Sequence, residues 1–95
     1  MPAYLVANYD VTDPDRYREY QKGAAPLMAG GGKLLALDPD SEAKEGDCGA
    51  QTVIIEYPTK EAALAAYGSE DYQAVMGIRL EATTNGRAVI INGMG

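Results

Sequence analysis

Twice along this chain a short apolar strand runs straight into a capped helix. The stretch "AYLVANY" (residues 3–9) leads to Asp13, Pro14 and Asp15, and "TVIIEY" (residues 52–57) leads to Pro58 and Thr59. Asp13 and Thr59 are good N-caps. Pro14 suits a first helical position, where an N–H would have no partner, and Asp15 complements the positive end of the helix dipole. Each helix is followed by another strand, "KLLAL" (33–37) and "AVIING" (88–93). An order of strand, helix, strand, strand, helix, strand leaves few topologies, because crossovers within one sheet are right-handed. It predicts a single domain over residues 1–95 of the α+β class. The arrangement is ferredoxin-like βαββαβ, a four-stranded antiparallel sheet with helices on one face.

The interruptions agree with this order. Tyr17, Tyr20, Ala24 and Leu27 recur at helical spacing and mark a core-facing stripe. Gly23 and Pro26 break that helix near Ala25, since Pro26 has no N–H for the carbonyl of Lys22. Gly30 to Gly32 then end it. The connection "DPDSEAKEGDCGAQ" (38–51) is turn-rich and longer than a tight hairpin. After Gly68, Ser69 caps a second helical piece whose inward stripe is expected to be Tyr72, Val75, Met76, Arg79 and Leu80. The tripeptide "NGR" (85–87) reads as a turn before the last strand.

Alternation along the third strand puts Val53, Ile55 and Tyr57 on one side and Thr52, Ile54 and Glu56 on the other. The first and last strands are also apolar on both sides. Helices can cover only one face, so a second copy of the chain is the expected cover for the other: a homodimer.

Charge narrows the partners. The net charge is -6, from 14 acidic and 8 basic side chains, and the basic ones are scattered. Phosphate-backbone binding lacks its driving force, so no nucleic acid is expected. No apolar run is long enough to span a membrane and the start of the chain does not read as a signal peptide, so the protein is expected to be cytoplasmic. Cys48 has no cysteine to pair with and the chain has no histidine to share a metal. Haem would lack its usual ligand and no carboxylates cluster, so no metal and no cofactor is expected.

The run "VIIEYPTKEAALAAYGSEDYQAVMGIRL" (53–80), preceded by "YREYQKGAAPLMAGGGKLLAL" (17–37) and followed by "AVIINGM" (88–94), resembles the bacterial family called domain of unknown function 1330. The most specific part is Glu56 to Leu80: a Glu-aromatic-Pro strand end, an alanine-rich helix, Tyr67-x-Ser69, Tyr72-Gln73 and Arg79-Leu80. The resemblance implies a dimeric α+β barrel, a group that includes small monooxygenases, muconolactone isomerases and proteins of no known activity. The family often has tryptophan where Ala66 stands, a departure that either widens a pocket or alters packing.

Among chemical candidates Glu56 comes first. Desolvated without a partner it could serve as a general acid or base; paired with a cation it would be structural. Arg79 lies seven residues after Tyr72, on the same helical face, and is either an anion clamp or half of an ion pair. Asn8, Tyr20, Tyr67, Ser69 and Tyr72 supply further polar groups. Without histidine or a Gly-x-Ser-x-Gly elbow, Ser69 is no triad nucleophile. The expectation is a pocket between sheet and helices that binds a small carbonyl compound or aromatic acid. Cofactor-independent proton transfer or oxygenation is its candidate chemistry, and a non-catalytic homodimeric binding or interaction module is the alternative.

Overall fold

The computed structural model describes residues 1–95. The elements are β1 (Ala3–Val11), α1 (Pro14–Gly23), a 3-10 turn (Ala25–Met28), β2 (Lys33–Asp38), β3 (Gln51–Tyr57), α2 (Lys60–Tyr67), α3 (Glu70–Ala82) and β4 (Thr83–Asn92). The strands form one antiparallel sheet in the order β2-β3-β1-β4, the ferredoxin-like topology. Overall extents of 34 × 32 × 16 Å leave depth for the sheet and one layer of helices only.

Local chemistry sets the boundaries. The side chains of Asp13, Thr59 and Ser69 accept hydrogen bonds from the N–H groups of Arg16, Ala62 and Tyr72, so all three helices start where their caps stand. The first helix stops at Gly23 and resumes as the 3-10 turn that contains Pro26. Gly31, with φ of 89°, turns the chain into β2 in a conformation that a Cβ would oppose.

Two sequence expectations change. "NGR" is not a turn ahead of the last strand: β4 begins at Thr83, directly after α3, and the tripeptide lies within it. Pairing steps from Asn8↔Arg87 to Asp10↔Thr84, which leaves one extra residue on β4, and Asn85 takes up the irregularity with φ of 56°. Leu80 does not face the core. It is 58% exposed, because one residue beyond Arg79 the helix has turned by about 100°. β2 has a similar bulge, between Leu34↔Ile55 and Ala36↔Ile54.

The helix-side face of the sheet carries Ala3, Leu5, Ala7 and Tyr9 from β1 and Ile55 and Tyr57 from β3, all buried. The opposite face carries Val6, Ile54, Val89 and Ile91 with no helix over them; Val89 is 54% and Ile91 45% exposed. No helix is long and apolar enough to cross a membrane.

Candidate functional site

The middle of the sheet is built from small side chains. Ala7 of β1 lies beside Val53 of β3 and Ala88 of β4, whereas one pair further along Leu5 meets Ile55 and Ile90. Above the alanines the helices leave a cavity of about 180 Å³. Tyr17 and Tyr20 of α1, Leu27 of the 3-10 turn and Tyr72 of α3 wall it, and it extends to β2, where Leu34 and Leu37 line it while half exposed. Of its 17 lining residues only Arg79 and Gln21 are not hydrophobic.

Tyrosines organise the wall. The hydroxyls of Tyr9 and Tyr17 are 2.7 Å apart, and those of Tyr20 and Tyr72 2.8 Å apart. Their rings make a continuous series from Tyr9 through Tyr17, Tyr20 and Tyr72 to Tyr67, with centroids 5.3 to 6.3 Å apart. The hydroxyl of Tyr57 donates to the carbonyl of Leu27, tying the sheet to the 3-10 turn. Burial pushes the acidity constants of Tyr9, Tyr17 and Tyr20 upward, and that of Tyr57 up to about 12, so these four hydroxyls are neutral at physiological pH.

Arg79 is the charge in this setting. It is 7% exposed, its guanidinium carbon lies 5.4 Å from the centre of the Tyr9 ring, and Nη2 is 3.5 Å from the Tyr67 hydroxyl. Nε is buried without any acceptor. The ion pairs of the chain are Arg16 with Glu19 and Glu81, Arg18 with Asp15, and Lys44 with Glu42; Arg79 has none. Burial acts against its charge. Its electrostatic interaction with the surrounding tyrosine hydroxyls, that of Tyr72 foremost, outweighs burial and holds its titration above the usual arginine range. It is therefore a cation whenever the protein is folded near neutrality.

The sequence candidates separate into two places. Tyr20, Tyr67, Tyr72 and Arg79 meet in the cavity. Glu56 and Asn8 do not, because strand alternation puts them on the opposite face of the sheet from Tyr57 and Tyr9. There Glu56 accepts from the Tyr4 hydroxyl at 3.3 Å. The Asn8 amide is spent on the loop: its nitrogen donates to the Gly49 carbonyl and to Thr52, and its oxygen accepts from the Gly49 N–H at 2.6 Å. Ser69 is also committed, accepting from the Tyr72 N–H while donating to the Ala66 carbonyl. Ala66 is buried and does not line the cavity. Tyr9, the residue beneath Arg79, escaped notice in the sequence. Its signal was present in the alternation Ala3, Leu5, Ala7, Tyr9, whose four members are all buried. No three acidic or cysteine side chains gather where they could hold a metal ion.

Residues 2–94 match the family model described as "Domain of unknown function (DUF1330)". No curated protein matches the sequence. Among solved structures, a protein of unknown function from Rhodopseudomonas palustris superposes with a TM-score of 0.78 at 16% identity, over 99% of this chain and 83% of that one. A variant of SnoaB, a cofactor-independent oxygenase from Streptomyces nogalater, gives 0.68 at 11% identity, over 99% and 94%. A dimeric ferredoxin-like protein of unknown function from Thermobifida fusca gives 0.65 at 17% identity, over 98% and 92%. At such identities the likeness is one of fold.

Proposed function

The chain belongs to the DUF1330 family, and from its cavity we propose that it binds a small organic acid with the charged end at Arg79. The observation that carries this reading is a buried guanidinium with no carboxylate partner and an Nε without an acceptor, inside an apolar hollow. Desolvating an unpaired cation costs several kcal/mol. The Tyr9 ring offsets about 2 kcal/mol of that. A bound carboxylate would offset most of the remainder through charge-assisted hydrogen bonds. Size supports a single ring, since a cavity of about 150 Å³ takes up benzene and this one measures about 180 Å³.

Cofactor-independent proton transfer or oxygenation of a small carbonyl compound or aromatic acid is the reaction class we attach to the site, by analogy of fold with SnoaB. One observation favours a second reading, a binding module without catalysis: no carboxylate or other strong base lines the cavity. Under either reading Glu56 acts outside the cavity. We assign it, with Tyr4, to a homodimer interface formed by the uncovered sheet face. A cytoplasmic setting belongs to the same proposal, on the single cysteine, which is free.

Thermal unfolding with benzoate and ring-substituted benzoates tests the acid site. At a hundred times Kd, binding adds about 2.7 kcal/mol, which for a domain of this size raises Tm by about 10 °C or more. The rise is expected in the native sequence and not in Arg79→Met, which keeps the apolar stem. If none of these acids stabilises the native chain, or if Arg79→Met responds equally, the acid reading fails.

A further inference from the structure

Beside the cavity lies a second hollow, an open groove of about 460 Å³ between the start of α1 and the ends of β2 and β3. The two share Tyr17, Gln21 and Leu37, which form a neck between them. The groove differs in chemistry, being lined by Asp10, Arg18, Gln21 and Gln51 among apolar neighbours. Most of these polar groups are satisfied. Asp10 accepts from the Ala50 N–H at 3.1 Å, Arg18 is paired with Asp15, and Gln21 is exposed to water.

Gln51 is the exception. It is 7% exposed, yet its side-chain amide makes no hydrogen bond within the protein. It belongs to the same alternating set as Val53, Ile55 and Tyr57, so it rises from the helix-covered face of the sheet. The amide reaches the open groove, where two donors and two acceptor lone pairs await a partner from outside the fold. Each hollow thus presents one polar group that no protein group pairs, a buried cation in the inner one and a neutral amide at the wall of the outer one.

Resting on the acid reading of the inner cavity, we infer that the ligand is bifunctional: a one-ring acid head at Arg79 and, through the neck, a neutral arm that both donates and accepts, an amide foremost, at Gln51. An amide meets Gln51 with complementary N–H and carbonyl groups, which a hydrocarbon arm cannot do. A second carboxylate would leave the N–H donors served and the carbonyl oxygen of Gln51 facing a negative charge.

Calorimetric titration of benzoate, 4-acetamidobenzoate, 4-(acetamidomethyl)benzoate and 4-isopropylbenzoate tests this. At least one amide-bearing acid is expected to bind ten times more tightly than benzoate, and the isopropyl compound is not. In Gln51→Leu the ratio of amide acid to benzoate should fall to about one; Gln51→Met serves the same purpose if the leucine variant does not fold. The inference is overturned if neither amide acid gains over benzoate, or if the gain survives loss of the glutamine amide. In either case binding of benzoate itself leaves the acid site standing. Failure of benzoate and all three relatives to bind the native chain removes both.

Discussion

The hydroxyls of Tyr20 and Tyr72 each have the other as partner in a place that water does not reach. Removing one strands its neighbour, and an unsatisfied buried hydroxyl costs about 1–3 kcal/mol. Tyr20→Phe and Tyr72→Phe should each lower stability by that order in urea titrations, and the double variant by clearly less than the sum, since no stranded group remains. The same burial fixes the response to alkali. Tyr9, Tyr17, Tyr20 and Tyr57 hold their protons beyond the ordinary value of 10.0 in the fold, Tyr57 to about 12. A group whose acidity constant is raised by folding stabilises the native state below the unfolded value and loses that contribution as pH climbs toward the folded one. Stability is therefore expected to be level up to pH 10 or so and to fall steeply above it. Tyrosine ultraviolet absorbance should report much of the ionisation together with unfolding; smooth ionisation of all seven tyrosines in an intact fold would contradict this.

At the level of elements, caps and glycines are the strongest determinants. Ser69→Ala removes the bond to the Tyr72 N–H and should cost about 1 kcal/mol, seen as a lower denaturation midpoint. Gly49 is less replaceable. It is buried, gripped on both sides of its peptide by the Asn8 amide, and a Cβ there would run into the backbone of Tyr9. Gly49→Ala is expected to displace the β2–β3 connection and to cost more than loss of the cap. These boundaries were legible in the sequence because Asp13, Thr59, Ser69 and the glycine run act within one turn of where they stand. The start of β4 was not legible: Asn-Gly is also the commonest turn signal, and only pairing with Asp10 and Val11 draws Thr83 and Thr84 into the sheet. The face occupied by Glu56 could be deduced only relative to Tyr57. Which face the helices take depends on contacts distant in sequence, and Ile54 and Ile55 are equally apolar.

For the whole molecule the uncovered sheet face dominates. Val6, Ile54, Val89 and Ile91 are adjacent across three strands, and two such faces set together would bury them. Ile54→Lys, which adds a charge at the middle of that surface, is expected to yield a monomer in sedimentation equilibrium while the native chain sediments as a dimer. A native chain that stays monomeric at tens of micromolar would remove the homodimer. The bulges described in β2 and β4 have a further consequence. These are the two border strands, each with a row of unpaired backbone groups on its outer side that could recruit a stranger's strand. An extra residue in each spoils the even spacing such recruitment requires, so accidental growth into fibrils meets a mismatch at either rim.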